Sequence, residues 1–304
     1  MLAYFFNGIL PIFSIGALGF FFGRKGDFDF SMAMAINKFV MLAAVPALII
    51  TFMADVPINK FNFELLGGYF LTEILLYLAA ISIARFVFKL AIKEAFLIGA
   101  TIALTNHILY VLPIAHQLYS QEIIVPIISI ITMDGILLFS ISILIMDVLS
   151  SKDKAWTHTL LRILSNPPVL SIILGLIISL LQIKLPIGLE LFLNSLGNTA
   201  SPALLFALGI ILSQTKFRLN EPIVWVITAM KLIIHPTLAF FLFTNFIYVS
   251  SEDLQSVILV AAAPCGIMGF MLAMNYNVRT KFIALAILYT SIGSLVTLTI
   301  ATAV

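Results

Sequence analysis

The chain has 304 residues, 62% of them hydrophobic and 10% charged, with a formal net charge of +2 and a mean hydropathy of +1.16. A soluble protein carries about 25% charged residues, and the 30 Asp, Glu, Lys and Arg side chains present cannot coat a soluble fold of this length, which excludes soluble enzymes and marks an integral membrane protein. The small net charge gives no basis for a nucleic-acid partner, and the single cysteine, Cys265, excludes an internal disulfide or a cysteine metal cluster.

A hydrocarbon core about 30 Å thick needs roughly 20 apolar residues per spanning helix. On that basis the chain reads as an all-α membrane protein with ten spans at residues 3–22, 31–54, 65–88, 92–118, 123–147, 168–182, 186–213, 222–247, 253–275 and 280–303. These runs are apolar on every side, unlike the alternating strands of a membrane barrel. Span 1 has its positive charges after the apolar run and no small-residue cleavage site, so it reads as a retained span.

Span 2 contains Ala44-Val45-Pro46-Ala47-Leu48. Span 3 carries Glu73, span 4 carries Asn106, His107, Tyr110 and Pro113, and span 5 carries Asp134 near mid-membrane. The connection 150–167 separates this half, 1–149, from a second half, 168–304. Asn166-Pro167 opens span 6, and span 7 contains Ala200-Ser201-Pro202-Ala203-Leu204. Lys231 lies in span 8 with His235-Pro236, which reads as a kink, and Pro264-Cys265-Gly266-Ile267-Met268-Gly269 lies in span 9. Trp156 and Trp225, near span ends, read as interfacial anchors.

Of the 16 Lys and Arg residues, 12 fall in the loops after spans 1, 3, 5, 7 and 9, whereas the opposite loops hold Lys60 and Lys184. Positive charge stays cytoplasmic, so both termini are expected outside the cell membrane. Five spans per half then make any internal duplication inverted. Pro46 and Pro202 are 156 residues apart, Pro113 and Pro264 are 151 apart, and Glu73 and Lys231 are 158 apart. Proline in a membrane helix frees a carbonyl that needs another partner or a wet cavity. Paired breaks in spans 4 and 9 therefore point to a site near the bilayer midplane, where half-helix N-termini suit an anion. Simple kinks are the bland alternative for each proline taken alone.

The stretch 165–213 resembles the auxin efflux carrier family, in particular its short bacterial members. The resemblance is carried by Asn166-Pro167, Leu185-Pro186, Leu196-Gly197-Asn198 and Ser201-Pro202-Ala203, with Pro11, Gly16, Gly19 and Gly23 near the N-terminus and Ala273 and Tyr276 in span 9. It implies a scaffold of spans 1, 2, 6 and 7 that often forms a homodimer, a mobile transport domain of spans 3–5 and 8–10, and crossed helices 4 and 9. The family's known substrates are organic anions, among them indole-3-acetate and dicarboxylates such as malonate. At the site the chain departs from the family: the glycines expected after Asn106 are absent, and Met268 replaces a polar residue in span 9.

Asn106 can bind a carboxylate through its amide or merely repair the helix break. His107 can titrate near neutral pH or sit as a neutral hydrogen-bonded histidine, and Tyr110 lies one turn from Asn106. An unpaired carboxylate at the depth of Asp134 costs at least about 2.5–3.5 kcal/mol, so Asp134 is a coupling site for H+ or Na+ or a buried interhelical hydrogen bond. Glu73 and Lys231 can pair across the repeat axis, or Lys231 can snorkel to the cytoplasmic surface. Gly266 and Gly269 allow close backbone approach, and Cys265 reads as a packing residue.

The expected function is a secondary or potential-driven carrier of small organic anions, with no cofactor beyond a coupling ion and with the lipid bilayer as its surroundings. No Walker motif is present. An intramembrane enzyme or a channel is the alternative, yet the chain lacks His-Glu-x-x-His and Gly-x-Ser-x-Gly, and no second aspartate lies mid-membrane beside Asp134.

Overall fold

The computed structural model describes residues 10–55, 61–150, 165–214 and 220–302. Trp156, Lys60 and most of the connection between the halves lie outside the described residues. What is described is helical, with no strand and a lone β-bridge.

The helices are α1 (Leu10–Lys25), α2 (Phe30–Phe39), α3 (Val45–Asp55), α4 (Phe63–Ser82), α5 (Ile92–Ala103), α6 (Leu112–Leu118), α7 (Gln121–Met133) and α8 (Phe139–Ser150). There follow α9 (Pro167–Leu180), α10 (Ile187–Gly197), α11 (Ala200–Gln214), α12 (Pro222–Ala229), α13 (His235–Asn245), α14 (Ser251–Ala261), α15 (Met268–Asn275) and α16 (Lys281–Ala301). Their aqueous ends are capped where the sequence supplies a short polar side chain. Asp29 accepts the Met32 N–H at 2.8 Å ahead of α2, Asn62 caps α4 and Ser250 caps α14. The hydrogen bonds from Met32 and Ser31 to its charged form hold the Asp29 carboxyl below the usual carboxylate range.

Among the described residues, six helical stretches are long and apolar enough to cross a membrane: Phe30–Thr51, Phe63–Val87, Glu122–Ser150, Ile187–Gln214, Pro222–Asn245 and Lys281–Ala301. The expected spans 4 and 9 fall short because each is interrupted, and span 6 is shorter, at Pro167–Leu180.

π-helical turns lead into several helices, at Val40–Ala44, His107–Val111, Asp134–Leu138 and Met230–Ile234. Three of these explain how proline is tolerated. Pro46, Pro113 and Pro236 each stand two residues beyond such a turn. A proline cannot donate to the carbonyl four residues back and its ring crowds it. The wider turn moves that carbonyl aside, and the residue just before each proline bonds five residues back, to Val40, His107 or Met230. Pro202 needs no such device. The chain breaks at Asn198–Thr199, so Pro202 lies in the first turn of α11, where a missing N–H costs nothing.

Packing separates the helices into two sets. In one, α1 and α2 pack on α11, and α3 packs on α9 and α10. Without a hydrophobic driving force between helices in lipid, close approach of small residues holds such contacts together. A Cβ on Gly19 would lie 2.1 Å from the Phe206 carbonyl oxygen, and one on Gly209 would lie 2.0 Å from that of Gly16. Gly209→Val is therefore expected to force α1 from α11 and lower the melting temperature of the purified protein, at a cost of about 1–3 kcal/mol; an unchanged melting temperature would show that this seam is slack. In the other set, α4 packs on α5 and α13, α7 on α14, α5 on α15, and α12 on α16. The two sets touch where α9 meets the turn at Asp134 and α11 meets the turn at His107.

Candidate functional site

Both interrupted helices break at the same place in space. Between α5 and the turn at His107 the chain is non-helical at Leu104–Asn106, and between α14 and α15 at Ala262–Ile267. Thr105 and Cys265 pair as an antiparallel bridge. The Asn106 N–H donates to the Pro264 carbonyl at 3.1 Å and the Gly266 N–H to the Leu104 carbonyl at 2.7 Å, while the Cys265 N–H donates to Thr290 Oγ1 on α16 at 3.2 Å. The two breaks thus satisfy each other's freed backbone groups, the condition for irregular backbone at membrane depth. Gly266 is required for it: a Cβ there would stand 2.4 Å from the Leu104 carbonyl oxygen.

This register corrects the sequence reading. The break in span 4 lies at Leu104–Asn106, not at Pro113, which sits in α6 behind its π-helical turn. Thr105, not Pro113, stands against the second break, where it bridges Cys265, 160 residues later in the sequence.

Beside the crossover lies a cavity of about 80 Å³. The crossover set of helices contributes Asn106, His107, Asp134, Gly266 and Met268, and the other set contributes an apolar wall that includes Met41, Val45 and Ile172. The Asn106 side chain is buried, and its Nδ2 has no hydrogen-bond partner. His107 Nε2 stands 3.2 Å from Asp134 Oδ2 without the alignment of a hydrogen bond. A more open groove of about 560 Å³, lined by Asn37, Lys38, Asn166 and Met271 among others, shares Met41 and Pro168 with the cavity. Past Ile49 and Ile172, in the other direction, the lining is almost wholly apolar, with Met53, Leu112 and Ile128 around a void of about 20 Å³.

Behind the cavity the structure gathers charge. Glu73 and Lys231 are 0% exposed, Asp134 3%, His107 6% and His235 0%. Lys231 Nζ donates to Thr105 Oγ1 at 2.5 Å and lies 3.0 Å from His235 Nδ1, and the Tyr69 ring lies 5.7 Å from that of His235. The Glu73 and Asp134 carboxyls are neighbours, and none of their four oxygens has a hydrogen-bond partner. Among the described residues no carboxylate comes within 4.0 Å of Lys231. Lys231 therefore neither snorkels nor forms a direct ion pair with Glu73: Thr105 and His235 hold its ammonium inside. His107 and Asp134 open π-helical turns and Lys231 lies within one, a geometry that often marks functional positions.

The remaining sequence candidates divide. Tyr110 is buried with its ring 5.1 Å from Phe13 of α1, and is not among the residues lining the cavity. Gly269 seats α15 against Thr101, where a Cβ would lie 2.1 Å from Oγ1. Pro264 and Cys265 contribute backbone to the crossover, and Asn166 and Pro167 begin α9 at the open groove. Trp225 is exposed, with its ring 5.1 Å from that of Tyr289. Sequence reasoning passed over Thr105 and Tyr69 and took His235 for a kink. For His235 a signal exists, since it lies four residues after Lys231 and so on the same helix face; Thr105 becomes visible only once the crossover register is known.

The chain is similar to known proteins over nearly its whole length. The model of the membrane transport protein family matches residues 4–302. The uncharacterized transporter YfdV of Escherichia coli (strain K12) is 29% identical, over 98% of this chain and 96% of its own. A protein of Rhizobium meliloti (strain 1021) with the provisional name of malonate transporter is 24% identical, over 96% of this chain and 92% of its own. The lysosomal cholesterol signaling protein of Mus musculus is 26% identical over 77% of this chain, which corresponds to 29% of that longer protein.

Proposed function

Because the chain belongs to the membrane transport protein family, that of the auxin efflux carriers, we propose that this multi-pass membrane transporter is a ten-span secondary carrier of small mono- or dicarboxylates. The observation that carries the reading is the unpartnered Asn106 amide at a cavity beside two crossed, broken helices. A carboxylate seated there meets the Asn106 Nδ2, the His107 ring and the N-terminal N–H groups of α15, where the helix dipole favours negative charge. The cavity is otherwise apolar and small, which suits a short acid. The provisional name of the Rhizobium meliloti relative favours a dicarboxylate.

Two inverted five-span repeats account for the equivalence of the break at Thr105 with that at Cys265, of Pro46 with Pro202 and of Glu73 with Lys231. The two packing sets then take different parts. Spans 1, 2, 6 and 7 form the scaffold, through which two copies meet, and spans 3–5 and 8–10 move against it. The apolar wall of Met41, Val45 and Ile172 provides a surface without directional bonds to break. With both termini outside, the open groove at Asn37 and Lys38 faces the cytoplasm, and the apolar packing of Ile49, Met53, Leu112 and Ile128 closes the outer side. An inside-negative potential favours efflux of an anion by about 2.3 kcal/mol per charge per 100 mV.

The test is counterflow of labelled malonate, with monocarboxylates and aromatic acids in parallel, in proteoliposomes. Saturable flux is expected in the wild type and a loss of more than about tenfold in Asn106→Ala, the cost of about 1.5–3 kcal/mol of a hydrogen bond to a charged group. Undiminished flux in Asn106→Ala would remove the crossover from the substrate site. Product formation in place of flux would restore the enzyme reading.

A further inference from the structure

We infer that Glu73 and Asp134 share one proton balanced by the Lys231 ammonium, and that this cluster takes up a second proton with each carboxylate that enters the cavity, so that protons and not sodium ions drive the carrier. The inference rests on the anion-carrier reading for its coupling step, but the shared proton stands on the buried cluster alone.

Charges in a buried cluster must balance. Around Asp134 stand Tyr69 and Glu73 from α4, His107 from the turn after α5 and Lys231 from the turn after α12, while His235 at the start of α13 and Cys265 of the crossover neighbour Lys231. Two neighbouring carboxylates with all four oxygens unpartnered cannot both stay ionised in a dry interior. One ammonium neutralises one carboxylate, and one proton neutralises the other. The His235 imidazole stays neutral, since Lys231 Nζ is 3.0 Å from its Nδ1, a ring nitrogen that must accept from an ammonium, and His107 Nε2, 3.2 Å from Asp134 Oδ2, lacks the alignment of a donor to that carboxylate.

Asp134 stands on both sides of the boundary. It lines the cavity beside His107, whereas Glu73 and Lys231 are not among the lining residues. A carboxylate arriving at Asn106 and His107 adds a negative charge next to a cluster that was neutral. Neutrality returns when a proton from water on the open side bonds to the remaining carboxylate oxygen; no other bond changes, and the proton leaves by the same route when the anion departs. A sodium ion would need a cage of several oxygens, and here the ammonium already holds the place of the cation. Among the described residues no group of three or more His, Cys, Asp or Glu could hold a metal ion.

Two measurements test this separately. First, infrared spectra of the purified protein in nanodiscs at neutral pH should show the carbonyl stretch of a protonated carboxyl that is absent from Glu73→Gln and from Asp134→Asn, since either variant leaves one carboxylate for one ammonium. A wild-type spectrum indistinguishable from both variants would overturn the shared proton. Second, in proteoliposomes acid outside should drive malonate accumulation by up to about tenfold per pH unit, with alkalinisation of the outer medium and no response to a sodium gradient. Glu73→Gln/Asp134→Asn, which leaves the Lys231 ammonium alone to balance the arriving carboxylate, should lose both this accumulation and the alkalinisation that accompanies malonate flux. Accumulation that persists in the double variant, or that follows sodium, would overturn proton coupling and leave the anion carrier intact. If the folded wild type moves no malonate, the substrate reading fails, and the infrared difference alone decides the proton.

Discussion

Replacing Lys231 by methionine is expected to abolish transport and to cost about 3–5 kcal/mol of stability, the penalty for breaking a buried charge arrangement by removing one partner. The stem of methionine is close enough in shape that no large void opens, so the loss reports the charge. Without the ammonium, Glu73 and Asp134 face each other with nothing of opposite sign nearby, and Thr105 Oγ1 loses its donor. The informative variant adds Glu73→Gln and Asp134→Asn to Lys231→Met. It removes the ammonium together with the one net negative charge of the carboxyl pair, and most of the lost stability should return while transport stays absent. Thermal melting of the wild type, Lys231→Met, Glu73→Gln/Asp134→Asn and the triple variant in the same detergent completes the cycle. A single Lys231→Met variant as stable as the wild type would mean that the ammonium balances nothing.

Gly266→Ala is the second large effect. One added methyl group would stand 2.4 Å from the Leu104 carbonyl oxygen and 3.1 Å from that of Thr105, both main-chain atoms that cannot swing away as a side chain would. The crossover must open, which strains the Gly266 to Leu104 hydrogen bond and its companion from Asn106 to Pro264. Transport is expected to fall by more than about tenfold, because a misplacement of about 1 Å at a reacting or binding group costs on that scale. Insertion and the spectrum of a folded helical protein should survive, since the helices on either side keep their own hydrogen bonds. Full counterflow in Gly266→Ala would show that the crossover is not part of the transport site.

Depth in the bilayer is legible in the chain itself. The helices found fall within a few residues of the apolar runs, because twenty apolar residues and a polar end specify a spanning helix without help from any other part of the molecule. Proline punctuation is legible for the same local reason, and so is the presence of Glu73, Asp134 and Lys231 at a depth where a charge must be accommodated. Asn106 and Gly266 are likewise conspicuous, one as a polar side chain and the other as a glycine beside a proline.

What a helix faces is a different matter. A helix apolar all round has no polar face to orient it, so rotation about its axis is set by neighbours distant in the chain. The ring of Tyr110 meets Phe13 and not the cavity for that reason, and Lys231 turns inward to Thr105, 126 residues away in the sequence. The true register of the crossover has the same origin. Pro113 looks like the partner of Pro264 until the π-helical turn is seen to absorb it, and the backbone bridge from Thr105 to Cys265 then decides the pairing. The neighbouring carboxyls of Glu73 and Asp134 sit on helices that apolar runs locate and only packing brings together.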